Sequence, residues 1–438
     1  MKVLKFGGTS LGDAQRMRNV ADIVARDKQV LVVLSAISGT TNALLDIFVE
    51  TRNGKLSSAQ EIVDTLEKHY ASYIDELFTK DETKSLGNQV IQTQMSDITK
   101  SIQQKFIPSL EYYLLAKGEL ISTELFHLLL DEQDRENRLL SALDFLRLNQ
   151  DNIPDEKFLA EQISNQFSNS KEALISITQG FICRNAFGQI SNLNRGGSDY
   201  SASLFGAALN CKEIQIWTDI DGMHNNDPRF IKNTKPIREL SFDEAAELAY
   251  FGAKILHPSS IKPARRKNIP VKLLNTLEPS APGTLISDVT TRGTIKAVAA
   301  KSGITAIKIR SSEMLQAPGF LRRIFEVFEL YKTSIDMVTT SEVAVSVTID
   351  DTHNLQAIVE TLTEFGHVEI DRSLSIICVV GEFLVESSGL ASQVIKALED
   401  LPIRMISYGG SAHNISLLVS EELKIEALKA LHRGLFDV

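Results

Sequence analysis

The sequence predicts an α/β protein with a mainly parallel central sheet, followed by a smaller α+β region built from a repeat. Three observations carry this. Short, almost uncharged β-branched runs such as 29–38 and 173–184 alternate with amphipathic helical stretches, the pattern of strand–crossover–strand units. Glycine-rich or polar turns follow those runs, at the strand carboxyl ends where open α/β sheets bind ligands. Ser334-Ile335-Asp336-Met337-Val338-Thr339 is echoed by Pro402-Ile403-Arg404-Met405-Ile406-Ser407, and SEVAVSVTID by SAHNISLLVS, so the C-terminal part contains two copies of one unit.

The first strand holds Val3, Leu4 and Phe6, and breaks into Gly7-Gly8-Thr9-Ser10 before a helix with Met17, Val20, Ala21 and Val24 on one face. A strand running through two glycines into a helix start makes an anion site, to which Lys5 adds a movable charge. The alternative is a tight turn beside a surface lysine. QVLVVLSAIS is a buried strand ending in the small polar turn 38–42. Residues 57–148 read as charged helices interrupted at Gly118 and Glu119. ALISITQGFICR is a second buried strand, then NRGGSDYSA opens a small-residue helix, and EIQIWTDIDG is a strand with acids at its end. SFDEAAELAYFGAKILHP reads as a helix over 241–256, with Ser241 and Glu244 spaced as a capping box. IPVKLLN and GTLIS close this part near residue 287. Each later repeat reads strand, helix, strand, strand, helix. The first copy has a closing strand at 367–373, and the second lacks one. IKAVAAKS (295–302) has no partner of its own, so it is predicted to supply that strand beside 403–419.

A chain of 438 residues exceeds one ordinary core, so two or three domains are expected. A net charge of −10 without a long basic run argues against a nucleic-acid partner. No apolar run reaches membrane-spanning length, and Val3 already in a strand leaves no room for a signal peptide. Cys183, Cys211 and Cys378 are scattered and outside any C-x-x-C, so they read as reduced thiols of a cytoplasmic protein.

Polar groups gather at four strand ends: Lys5 to Ser10, Ser35 to Thr41, Asn194 to Asp199, and Thr218 to Gly222 with Asp227-Pro228-Arg229. Lys254 could add a second cation. Two lysines, glycine turns and carboxylates suit phosphoryl transfer, where catalysis is mainly charge neutralisation and positioning. The alternative is a set of solvated loops on a protein that binds some other anion. Glu119 alone also reads as a helix-start acid, and Asp199 as an N-cap after Gly-Gly.

KFGGTS, LSAISGTTN, GELIST, TQGFI, NRGGSDYSA, WTDIDG with DPR, and FGAKILHP resemble, in that order, the motifs of the aspartate kinase family. The C-terminal repeat resembles that family's paired ACT domains, and SIDMVTTSEVAVSVTID and IRMISYGGSAHN resemble the lysine-inhibited class. The length fits the monofunctional form, with no dehydrogenase half after Val438. The resemblance implies an amino-acid-kinase catalytic domain over 1–290, a first ACT domain over 303–373, and a second from 295–302 plus 374–438. It implies transfer of phosphate from ATP, with Mg²⁺ carried on the nucleotide, to the side-chain carboxylate of L-aspartate. Lys5, Asp199 and Lys254 are then catalytic, and Ser35, Thr41, Glu119, Arg195 and Ser198 hold aspartate. Lys5, Phe6, Gly7, Gly8, Thr218, Asp219, His224, Arg229, Lys254 and Ile255 contact ATP. Where the family has an aromatic residue and small hydroxyls before Asp-Pro-Arg, this chain has His224-Asn225-Asn226, leaving His224 to stack on adenine or face solvent. Feedback inhibition by L-lysine is implied through Met314, Ala317, Gly319, Phe320, Leu321, Ser334, Ile335, Asp336, Ser341 and Glu342, with Ala317 replacing a hydroxyl. A homodimer or higher assembly through the ACT domains is implied as well. The competing readings are another amino-acid kinase, acting on acetylglutamate or glutamate, and a non-catalytic amino-acid sensor.

Overall fold

The computed structural model describes residues 1–167, 175–194, 196–252, 256–288, 294–314, 318–381 and 388–436. Lys254, Ile255, Arg195 and Ala317 lie outside these residues. The chain divides into two compact units. One comprises 1–223 and 255–289, the other 224–254 and 290–438.

The first unit is built on a parallel sheet. Strand β1 (Lys2–Phe6) lies between β2 (Val30–Leu34) and β7 (Ile214–Thr218), parallel to both. Beyond β2 come β4 (Ile175–Gln179) and β3 (Asn137–Leu140), and beyond β7 come β9 (Val271–Asn275) and antiparallel β10 (Thr284–Ser287). All five residues of β2 are buried, which is why its sequence is an unbroken apolar run. Helices α1 (Ala14–Val24), α2 (Thr40–Arg52), α3 (Leu56–Leu77), α4 (Asp81–Ile102) and α5 (Leu110–Glu132) share one apolar core with Leu4, Phe6, Val32 and Trp217. The unit also holds α6 (Ala142–Phe145), α7 (Glu156–Phe167), α8 (Gly197–Ala208) and α10 (Lys262–Arg266). A hairpin of β5 (Ile182–Arg184) and β6 (Ile190–Asn192) follows β4.

Four local expectations need correction. Helix α5 runs through Gly118 and Glu119 without a break. A Cβ on Gly118 would come within 2.7 Å of the Ala36 Cβ, so this glycine permits close helix-to-turn packing instead of ending a helix. The segment 173–184 is two strands, because Phe181 adopts φ 64° after Gly180. Gly7-Gly8 leads into a 3₁₀ turn over Gly8–Leu11, and α1 starts afterwards with Asp13 capping the Arg16 N–H. The helix predicted over 241–256 is α9 (Phe242–Phe251) and stops at Gly252, whose φ of 144° is not helical. Its Ser241–Glu244 capping box is formed in both directions.

The second unit contains β8 (Glu239–Ser241), α9 and an antiparallel sheet. Its strands run in the order β12 (Val338–Thr340), β13 (Ala344–Ile349), β11 (Ile295–Arg310), β14 (His367–Gly381), β16 (Asn414–Ser420) and β15 (Met405–Tyr408). β11 and β14 each serve both halves, with register shifts between Lys301 and Ala306. Helices α11 (Phe320–Leu330) and α12 (Leu355–Leu362) cover one half, and α13 (Leu390–Ala397) and α14 (Lys424–Phe436) the other. Residues 295–301 pair directly with 376–381 and not with 403–419, because 374–380 occupies the place between them. Residues 224–254, expected with the N-terminal part, group with this unit. Ile231 and Phe230 enter its core, and the Asn226 amide donates to the Leu428 carbonyl.

Candidate active site

The carboxyl ends of β1, β2 and β4 open into a cleft of about 490 Å³. Lys5, Gly8, Ser35 to Gly39, Thr41, Glu119, Phe181, Asn194 and Gly196 to Asp199 line it. The parallel register brings these residues together: Phe6 sits beside both Leu34 and Trp217, so the turns that follow three strands emerge side by side.

Gly8 is required by that closeness. A Cβ there would lie 2.7 Å from the Ala36 carbonyl oxygen, and the Gly8 carbonyl accepts from the Ser38 N–H at 3.2 Å. Lys5 reaches out of β1 to Asp199, with Nζ 2.7 Å from Oδ1 and both side chains 11% exposed. Asp199 stands in the first turn of α8, behind a left-handed Gly196 cap, and so is not the N-cap itself. Helix α2 likewise starts behind a left-handed glycine, Gly39, and neither cap residue supplies a side chain. Two helix N-termini, each positive through its dipole, thus belong to the walls of one cleft. The sequence reading placed that feature after Gly7-Gly8; in the structure it belongs to Ser38-Gly39-Thr40 and Gly196-Gly197-Ser198.

Glu119 is the buried acid of the cleft. Its Oε1 accepts from the Ala36 N–H at 3.3 Å, while Oε2 is buried without a hydrogen-bond partner among the described residues. Burial pushes its carboxyl from about 4.5 up to about 8, and the Ala36 hydrogen bond opposes this only in part. An unpartnered buried carboxylate oxygen facing a polar cleft is a receptor for a cation of ammonium type. Beneath it, Tyr70 shares a 2.7 Å hydrogen bond with Thr40, and the Ser122 hydroxyl donates to the Ser35 carbonyl at 2.8 Å, fixing the turn between them.

Thr218 ends β7 and Asp219 follows it, at the same sheet edge as Gly7, whose N–H donates to the Trp217 carbonyl at 3.3 Å. Thr276 donates from both its N–H (2.8 Å) and its hydroxyl (2.7 Å) to the Thr218 carbonyl, and shares a 2.6 Å hydrogen bond with Ser10. Sequence reasoning missed this Ser10–Thr276 brace and the cleft position Asn192, which no motif marks; Asn194 was already among the polar strand-end groups, and Phe181 stood in the TQGFI motif without a role. Of the remaining predicted nucleotide contacts, His224 and Arg229 lie in the second unit. The His224 Nδ1 is 2.9 Å from the Thr234 hydroxyl, and Arg229 grips Asp227 with Nη2 at 2.6 Å.

The predicted effector residues also lie in the second unit. Gly319 caps α11 in a left-handed conformation, Phe320 begins the helix, and Ser341 and Glu342 follow β12 on the surface. Met314 and Ile335 pack against the core beneath α11, while Leu321 and Ser334 are exposed. Asp336 is already engaged: its Oδ1 is 2.8 Å from Lys301 Nζ and accepts from the Tyr250 hydroxyl.

The donor set fits a nucleoside triphosphate: backbone amides that glycine lets approach, a lysine and two helix N-termini. Among the described residues no group of three or more His, Cys, Asp or Glu side chains gathers as a metal cage, and no helix is long and apolar enough to cross a membrane.

Residues 1–275 match the amino acid kinase family, and 377–435 match an ACT domain. The chain is 36% identical to lysine-sensitive aspartokinase 3 of Escherichia coli, over 99% of each chain. It is 34% identical to the chloroplastic aspartokinase 3 of Arabidopsis thaliana, over 99% of this chain and 81% of that one. The crystal structure of E. coli aspartokinase III with aspartate and ADP superposes with a TM-score of 0.84 at 34% identity, covering both chains completely. The lysine and aspartate complex of the same enzyme gives 0.77, covering 100% of this chain and 99% of that one.

Proposed function

The chain belongs to the amino acid kinase family and within it to the aspartokinases, and we propose that its glycine-lined cleft moves the γ-phosphoryl group of ATP to the side-chain carboxylate of L-aspartate. A carboxylate oxygen attacks the γ-phosphorus, the bond to the β,γ-bridging oxygen breaks, and ADP leaves with that electron pair. No base is needed, because the acceptor carboxylate (pKa about 4) is already ionised at neutral pH. The barrier is the meeting of two anions, so the side chains that matter carry or orient positive charge.

Lys5 neutralises the phosphoryl group in flight, and Asp199 aims it, as their 2.7 Å pairing supports. Gly7 and Gly8 offer backbone amides to the phosphates, and Lys254 adds the second cation. Glu119 receives the α-ammonium of aspartate on its free Oε2, and Arg195 grips the α-carboxylate in a two-pronged pair. Ser35, Thr41 and Ser198 complete the aspartate pocket. Thr218, Asp219, His224, Arg229 and Ile255 hold the nucleotide beside Phe6, and Mg²⁺ carried on that nucleotide would supply further charge neutralisation. The buried Glu119 oxygen, without a hydrogen-bond partner among the described residues and lining the same cleft as Lys5, carries this reading, because a kinase for an acyl-amino acid has no ammonium to place there.

L-Lysine is the feedback inhibitor in this reading. Gly319 and Phe320 present α11 N-terminal amides to its carboxylate, and Asp336 and Glu342 receive its ammonium groups. Met314, Ala317, Leu321, Ser334, Ile335 and Ser341 enclose it. The two ACT domains are 303–373 and 295–302 with 374–438, the first inserted in the second, which the strand order of each half supports. They join copies of the chain into a homodimer or higher assembly. The test is aspartate-dependent ADP release titrated with lysine and, separately, threonine. Turnover without aspartate dependence, or inhibition by threonine alone, overturns the reading.

A further inference from the structure

Asp336 of the proposed effector pocket is not an open receptor. Its side chain is 0% exposed, and its Oδ1 is held at 2.8 Å by the ammonium of Lys301, which extends from β11. That ammonium also pairs with Asp350 Oδ2 at 2.8 Å, and it stands 4.2 Å from the centre of the Tyr250 ring. The Tyr250 hydroxyl donates to the same Asp336 oxygen. Two carboxylates, an aromatic face and a phenol thus enclose one primary ammonium, the set of groups that recognises an alkylammonium ligand. Among the described residues, the buried side-chain atom of the cluster without a hydrogen-bond partner is Asp336 Oδ2, beside the occupied oxygen.

An effector that brings its own ammonium to Asp336 meets a like charge within the width of one carboxylate. Two cations crowded onto one buried carboxylate repel each other where water does not screen them. Asp350, 42% exposed, offers Lys301 a second anchor nearer solvent. We propose that Lys301 is a built-in occupant of the effector's ammonium receptor, which lysine must displace onto Asp350, so that residue 301 sets the lysine concentration at which the enzyme responds. The proposal rests on the effector-pocket reading above and adds a competitor to it.

The test measures L-lysine binding to the full-length protein by titration calorimetry, alongside lysine inhibition of turnover. Lys301→Met removes the competing charge and retains an aliphatic stem. It is expected to tighten lysine binding about tenfold, the worth of one charge-assisted hydrogen bond that no longer has to be broken. Lys301→Arg keeps the charge and is expected to bind lysine within about threefold of the unmodified protein. Tyr250→Phe keeps the ring but frees Asp336 of one donor, and is expected to tighten binding about threefold. It stands in for Lys301→Met should that variant not fold. Unchanged or weaker lysine binding in folded Lys301→Met and Tyr250→Phe proteins overturns the competitor. An unmodified protein that neither binds lysine nor is inhibited by it overturns the pocket itself, and the two failures are thereby distinguished.

Discussion

At the scale of residues, the cleft works by holding charges where water would otherwise screen them. Lys5 and Asp199 are each 11% exposed, so their pairing at 2.7 Å is aimed as well as attractive. Lys5→Ala is expected to lower kcat by on the order of a thousandfold while the protein still folds; a variant with near-normal turnover would remove the lysine from the mechanism. Glu119 links activity to pH. Its free-enzyme carboxyl, pushed up by burial to about 8, is mostly protonated at pH 7, and must ionise to receive an ammonium. Aspartate binding at pH 7 is therefore expected to release a proton, seen as a binding enthalpy that varies with buffer ionisation enthalpy, and Glu119→Gln should abolish this dependence. The same shift has a stability sign. The folded protein holds the Glu119 proton more tightly than the unfolded chain, so this contribution is full below pH 4.5 and is lost as pH rises toward about 8. Glu119→Gln should flatten that part of the stability–pH curve; an unaltered curve would show that Glu119 titrates like a solvated acid.

At the scale of elements, the site depends on how closely a helix and two turns approach. Gly118 lets α5 pass within contact of Ala36 and places Glu119 one residue on, facing the cleft. Gly118→Val should destabilise by about 1–3 kcal/mol through overpacking and raise the KM for aspartate, since any shift of α5 carries Glu119 with it. Equal KM values in the two proteins would mean the helix position is not what sets the acid. The capping box of α9 is a separate local device, with the Glu244 N–H donating to the Ser241 hydroxyl at 3.0 Å and the Ser241 N–H to Glu244 at 2.8 Å. Loss of it in Ser241→Ala should cost about 1 kcal/mol of stability, read from chemical denaturation.

At the scale of the whole molecule, a parallel sheet and an antiparallel sheet share one chain, and the antiparallel sheet is continuous because β11 and β14 each belong to both of its halves. Such a sheet suits a two-state response, in which an end product shifts a population by binding one state better. The assembly proposed through the ACT domains predicts a mass of at least twice the 48.5 kDa chain by light scattering; a monomer with and without lysine would refute it.

The sequence by itself determined the parallel sheet, the repeat and the identity of most cleft residues. Apolar runs, turn glycines and side-chain types are local properties, and they survive in one dimension. Lys5 and Asp199 were legible as chemistry in that way, whereas Glu119, a helix-start acid by its residues alone, entered through the family resemblance. Only the tertiary structure decided which groups meet. It put Glu119 in mid-helix with one oxygen unpaired among the described residues, moved the helix N-termini of the cleft to 40 and 197, seated 374–380 between 295–301 and 414–420, and paired Asp336 with Lys301. Burial and pairing are sums over neighbours distant in the chain, so the pattern of any one segment does not contain them.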